Sequence, residues 1–212
     1  MKKPLILVGG GGHCKSVIDV AESAGYTILG ILDKPEEVGK SVLDYKVIGS
    51  DIDMGRYANE AEFMVTVGQI QSPELRSRLH KQLEDSGCKL ATIIAPTAYV
   101  SKYAKLGNGT IVMHNAIVNA DARIGKGCII NTFANIEHDV QIGDYCHIST
   151  GAMINGGAYI ADGTFVGSQS VVNQCVKIET GGGIIASGSV VNKNITGRGV
   201  YAGNPAKLIR QL

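Results

Sequence analysis

Residues 112–147, cut into sixes, read VMHNAI VNADAR IGKGCI INTFAN IEHDVQ IGDYCH. Every block opens on Ile or Val, and the fifth residue is Ala, Cys or Val. The same cut keeps Ile, Val or Leu in first place through fifteen consecutive blocks, from Ile94 to the block opening at Ile178, with no insertion. A short fixed period marks a solenoid, and a period of six marks a parallel β-helix. Each block forms one flat face, and three faces make a triangular coil of eighteen residues. The first residue fills the interior. The fifth also points inward near a corner, so it must be small. Asn and Gly around the third and fourth places suit tight turns. Cys128 and Cys146 hold fifth places one coil apart, so they are expected to stack inside as small core residues.

Upstream, the chain follows another rule. PLILV is a continuous apolar run closed by glycines, as in a buried parallel strand. HCKSVIDVAESAG carries Val17, Ile18, Ala21 and Ala24 at helical spacing and stops at Gly25. TILGILD and EFMVTVG read as strands ending at Asp33 and Gly68. SPELRSRLHKQLEDSG reads as a helix with Ser72 as N-cap and Pro73 at its first position, closing at Gly87. Residues 1–90 are therefore expected to form a small Rossmann-like α/β domain with a mostly parallel sheet, and 91–212 an all-β domain.

The gross composition removes several function classes. Lys plus Arg is 20 against 19 for Asp plus Glu, which leaves no polyelectrolyte-binding face for nucleic acid. The apolar run Leu5–Val8 is too short for a signal-peptide core or a membrane span, so a cytoplasmic protein is expected. Five cysteines with no C-x-x-C pair suggest neither disulfides nor a structural zinc.

Blocks of the form aliphatic–small–x–x–small–x resemble the hexapeptide acyltransferase family, whose coil is a left-handed parallel β-helix. The hand is implied by that resemblance and runs against the usual right-handed crossover. Over the whole chain, ILVGGGGHCKSVID, GILD, TVGQ, INTFANIEHDVQIGDYCHIS and GVYAGNPAK are together similar to the bacterial sugar O- and N-acyltransferases. These carry a nucleotide-sugar domain in front of the coil, and include sialic acid O-acetyltransferase-like and bacillosamine-pathway enzymes.

The resemblance implies acetyl-CoA as acyl donor, no metal, a homotrimer with active sites between neighbouring coils, and a nucleotide-sugar acceptor, UDP-linked by preference. In that frame His138 is the general base, mostly neutral near its ordinary pKa of about 6.5. Asp139 or Glu137 orients it, and the family's acid directly after this histidine favours Asp139. Asn131 is implied to contact the substrate or the orienting acid. His147, Ser168 and Ala186 are implied along the acetyl-CoA channel. Gly11, Gly12, His13, Asp33, Lys34 and Gly68 are implied around the nucleotide-sugar. The glycine loop VGGGGHCKS can cradle a diphosphate at a helix N-terminus. As a dinucleotide fingerprint it fails, because Cys14 stands where the third glycine belongs.

The reading is therefore N-acetylation of an amino group on a nucleotide-linked sugar, by direct transfer with no acyl-enzyme on Cys146. O-acetylation of a sugar such as sialic acid uses the same residues. From another class, a non-catalytic nucleotide-sugar-binding protein on a silent coil stays open. A metal-dependent hydratase is disfavoured, since His114 and His138 are 138 − 114 = 24 residues apart, not a multiple of eighteen. His114 and His80 are expected at the surface, and Met113, Phe133 and Tyr145 are expected as outward apolar residues in need of a partner.

Overall fold

The computed structural model of the protein describes residues 3–212. The chain up to Gly68 forms one compact unit together with Glu74–Pro96. Gln69–Pro73 belongs with the second unit, which continues as Thr97–Leu212.

In the first unit, β1 (Leu5–Val8) is wholly buried and leads through the glycine run into α1 (Gly12–Ser23). The remaining elements are β2 (Ile28–Asp33), β3 (Ser41–Val42), β4 (Tyr45–Ser50), β5 (Glu62–Val65), α2 (Glu74–Asp85) and β6 (Lys89–Leu90). The sheet runs β3-β4-β2-β1-β5-β6 and is parallel except for the β3–β4 hairpin. That hairpin escaped the sequence reading because β3 has only two residues and β4 is flanked by polar ones. Helix α2 buries Arg76, Leu79, His80 and Leu83, one stripe at helical spacing. His80 is thus fully buried rather than on the surface. Its position between Leu79 and Leu83 puts it on the apolar face.

The second unit is a left-handed parallel β-helix. Two-residue strands stack coil upon coil in three sheets. One contains Ile111–Val112, Ile129–Ile130, His147–Ile148, Phe165–Val166 and Ile184–Ile185. The second runs from Tyr99–Val100 through Ile117–Val118, Asn135–Ile136, Met153–Ile154 and Val171–Val172 to Val190–Val191. The third runs from Lys105–Leu106 through Arg123–Ile124, Gln141–Ile142 and Tyr159–Ile160 to Lys177–Ile178.

First-place aliphatics from Val112 to Ile178 and fifth-place residues from Ala116 to Val176 line one continuous interior. Cys128 and Cys146 are fully buried there, as their register requires. The period holds up to Ile178 and then changes. Val166 pairs with Ile185, so this coil holds nineteen residues, the extra one lying between Ile178 and the corner glycine Gly182, and the spacing then shortens as Ile178 bridges to Ile195 and Ile184 pairs with Val200.

From Gly109 to Gly188 the fourth residue of each block has positive φ, the left-handed region. Glycine fills many of these places, but Asp121, Phe133, Asp139 and Tyr145 adopt the same conformation. For bulky side chains this conformation is uncommon and costly, of order 1–3 kcal/mol each, and the surrounding coil enforces it.

The fifth place points into the coil interior, where Ala134 is fully buried among core side chains. Ala134→Leu is expected to destabilise by about 1–3 kcal/mol through overpacking. A depressed midpoint in chemical denaturation would report it, whereas the parental midpoint would contradict the inward assignment.

Candidate active site

His138 and Asp139 occupy the corner that follows strand Asn135–Ile136. On an extended strand, consecutive side chains point apart. Here Asp139 is the corner residue, with φ of 61°, and its carboxylate turns back to the preceding imidazole. Asp139 Oδ2 lies 2.8 Å from His138 Nδ1, so Nδ1–H donates and Nε2 is left as the basic nitrogen. Both side chains are about 60 % exposed, at 60 % and 61 %. The hydrogen bond to Asp139 raises the His138 pKa above its ordinary value, with smaller contributions from the charges of Asp139 and Glu137. Glu137 does not reach the imidazole in the same way. Its two carboxylate oxygens accept from Asn119 Nδ2 at 3.1 Å and Asn135 Nδ2 at 3.0 Å.

A second cluster lies on the sheet containing His147. His147 is buried, edge-on to Phe165 with ring centroids 5.2 Å apart. Its Nδ1 lies 2.7 Å from the carbonyl of Gln69, an acceptor, so Nδ1 carries the proton. Nε2 then accepts from Asn131 Nδ2 at 3.1 Å. Asn131 is held in that orientation because its Oδ1 accepts the Thr132 N–H at 2.8 Å. Asn131 therefore meets His147 within the chain, not Asp139. The Gln69 side chain is itself buried and donates to Gly163 O at 2.9 Å. Gln69 was invisible to sequence reasoning as a coil residue, because α/β elements flank it in the chain.

Ser168 lies further along the same edge, sharing a 3.0 Å hydrogen bond with Ser149. Ala186 follows, with its N–H donated to Tyr201 O and its carbonyl accepting from Ser170 Oγ, each at 2.8 Å. One edge of the coil thus carries His147, Asn131, Ser168 and Ala186, and the next carries His138 and Asp139. Among the described residues, no group of three His, Cys, Asp or Glu side chains could hold a metal ion.

The first unit holds a cleft of about 600 Å³ at the carboxyl ends of β1, β2 and β5. Gly11, Gly12, His13, Asp33, Lys34 and Gly68 all line it. This is where an open parallel sheet binds ligands. Helix α1 begins at the cleft with no side-chain cap, which leaves its first turn suited to an anion. Asp33 also braces the loop, accepting from Gly10 N and Lys34 N, both at 2.8 Å. Cys14 is buried, and burial pushes its thiol up to about 11. Arg76, which the sequence reading passed over, reaches from α2 to Val67 O at 2.6 Å and secures the loop after β5. Its signal was a charged residue on the apolar stripe of a helix.

Residues 4–83 match the PglD N-terminal domain family. Residues 121–156 and 139–174 match the bacterial transferase hexapeptide family, described as six repeats. No curated protein sequence matches. Among solved structures, the acetyltransferase domain of PglB from Neisseria gonorrhoeae FA1090 superposes with a TM-score of 0.90. It is 29 % identical, and the alignment covers 98 % of this chain and 100 % of that one. The same domain is also solved in complex with acetyl coenzyme A. A variant of perosamine N-acetyltransferase from Caulobacter crescentus, in complex with CoA and GDP-perosamine, gives a TM-score of 0.75. It is 29 % identical over 97 % of this chain and 96 % of that one. WeeI from Acinetobacter baumannii AYE, at 21 % identity and a TM-score of 0.86 over 97 % of this chain and 99 % of its own, shares the fold. With both family matches in chain order and these structures superposing end to end, the chain matches the hexapeptide-repeat sugar acyltransferases in domain order and in fold.

Proposed function

We propose that the protein transfers the acetyl group of acetyl-CoA to an amino group on a nucleotide-linked sugar, with His138 as general base. The observation that carries this reading is the exposed His138–Asp139 pair, whose geometry leaves Nε2 free to accept a proton. The PglB domain with acetyl-CoA and the perosamine enzyme with CoA and GDP-perosamine support the donor, the acceptor class and amine over hydroxyl. The nucleotide is proposed to sit in the cleft of the first unit, with its diphosphate on Gly11, Gly12 and the start of α1, and Asp33, Lys34 and Gly68 around it.

The donor supplies a thioester carbonyl carbon. His138 Nε2 removes a proton from the amine as its nitrogen bonds to that carbon. When the C–S bond breaks, the imidazolium returns a proton to the departing sulfur, and Asp139 stabilises the charged ring in between. His147, Asn131, Ser168 and Ala186 are proposed to hold the donor in line, so that the reaction is among pre-oriented groups.

The two clusters lie on different edges of one coil, which supports completion of the site by a neighbouring copy in a trimer. The three faces of the coil differ accordingly. The sheet bearing His147 has Ile111, Ile129, Phe165 and Ile184 outward and buried. The third sheet presents Lys105, Arg123, Gln141 and Lys177. The sheet leading into His138 exposes Tyr99 at 58 %, Ile117 at 39 % and Met153 at 42 %, apolar side chains on either side of Asn135 that association would bury. Phe133 is outward as the sequence suggests, whereas Met113 is buried within the chain.

His138→Ala is expected to abolish turnover of an amino-sugar nucleotide while calorimetry still detects CoA binding; near-parental turnover would defeat the base. Faster acetylation of a hydroxyl acceptor than of its amino counterpart would defeat the N-transfer reading.

The choice between Asp139 and Glu137 has its own readout. The His138 pKa is raised mainly by Asp139, so NMR titration of Asp139→Asn should show the midpoint falling toward 6.5. Glu137→Gln should move it little. Because the deprotonated ring is the active form, kcat/KM should rise as pH climbs through that midpoint, and the acid limb should shift to lower pH in Asp139→Asn. Sedimentation equilibrium is expected to give three copies, with Met153→Asp giving a smaller species; a monomeric parent would contradict the shared site.

A further inference from the structure

The imidazole of His138 lies against the backbone of the next coil, at Gly156, one coil onward (156 − 138 = 18). A methyl group built on Gly156 would stand 2.8 Å from His138 Cε1, 2.9 Å from Nε2 and 3.4 Å from Nδ1. These approaches are far inside van der Waals contact, so the ring can sit there only because residue 156 has no side chain. The edge nearest the missing methyl is Cε1–Nε2, the edge that carries the free lone pair.

Gly156 is not held in the left-handed region, unlike its neighbour Gly157, whose φ is 68°. Backbone conformation therefore does not demand glycine at 156, and the corner turn is supplied by residue 157. The Gly157 N–H donates to His138 O at 3.0 Å, which fixes the two coils in register at this point. The other residues stacked in this column are Lys102, Ala120 and Gln174, so glycine is not a requirement of the column either.

We infer that Gly156 is a positioning residue for the transfer reaction: its bare α-carbon seats the His138 imidazole beside Asp139 and keeps open the side from which the acceptor reaches Nε2. This rests on His138 acting as the base. With a side chain at 156, the ring must swing out, which breaks the Nδ1–H bond to Asp139 and removes Nε2 from the line of approach. The charged groups facing the ring are Asp139, in direct contact, and the more distant Glu137.

Gly156→Ala tests the inference, because alanine suits the backbone there and the coil should still fold. The expected result is a fall in kcat of about 10²-fold, the cost of misplacing a catalytic group by roughly 1 Å. KM for acetyl-CoA should stay at the parental value. The NMR titration midpoint of His138 should fall as the ring leaves Asp139, carrying the acid limb of kcat/KM to lower pH. The control is Gly151→Ala, which puts alanine at a φ of 65° in the same coil, away from the imidazole. It should lower Tm and leave the His138 midpoint in place.

A parental His138 midpoint in Gly156→Ala would overturn the inference, as would a midpoint that moves equally in Gly151→Ala. Because the titration reads the seat of the ring without any turnover, it separates this inference from the base assignment, which stands or falls with His138→Ala.

Discussion

The structure depends on one backbone constraint: from Gly109 to Gly188, each corner of the coil takes its fourth residue into the left-handed region. The corner reverses the chain within a block of six, brings first and fifth residues inward together, and lets backbone N–H and C=O groups pair between coils along the ladder. Because the coil enforces this conformation, the corner residue need not be glycine. At Asp139 that freedom becomes chemical. A left-handed residue directs its side chain away from the path of a strand, so an aspartate placed there reaches back to the histidine before it. The histidine–aspartate pair is therefore made by the turn, and a shorter acid suits a contact between adjacent residues.

The same repeat that builds the coil differentiates its three faces. Their inward residues are nearly interchangeable, but their outward residues differ in burial and polarity from sheet to sheet. The histidine–aspartate corner borders the sheet that exposes Tyr99, Ile117 and Met153, and the buried His147 belongs to a sheet whose outward residues from Ile111 to Ile184 are buried. Assembly through the apolar sheet would place His138 at a boundary between copies. The energetic need to cover Tyr99, Ile117 and Met153 and the chemical need to complete a site would then be met together.

Much of this was legible in the sequence because the interior of a solenoid repeats. The aliphatic first place and small fifth place identify the inward residues, Cys128 and Cys146 among them, with no knowledge of the rest of the fold. The glycine loop, Asp33 and Gly68 were legible because a parallel sheet gathers its ligand-facing loops at one end. What escaped depends on contacts between residues distant in the chain. Nothing local marks Gln69 as the residue that fixes the His147 tautomer. His80 looks like any polar helix residue until α2 is rotated onto its sheet. The glycine run after Thr180 conceals where the corner falls in a nineteen-residue coil, since any of the three glycines could take it.

The interior also bears on how acetyl transfer proceeds. Cys146 is the thiol closest in sequence to the histidines, and an acyl-enzyme would require its sulfur as a thiolate in contact with the donor. Its side chain instead points into the coil, where it donates to Ala161 O at 3.2 Å. Burial raises its pKa well above the ordinary thiol value. A neutral, enclosed thiol without a path to solvent offers neither charge nor access. Cys128, stacked one coil below, donates to Gly143 O at 3.1 Å and is equally enclosed. The inward register that makes these cysteines good core residues removes them as nucleophiles. Neither thiol therefore competes with the proposed route, in which the acceptor amine attacks the thioester itself and His138, at a corner outside the coil, takes its proton.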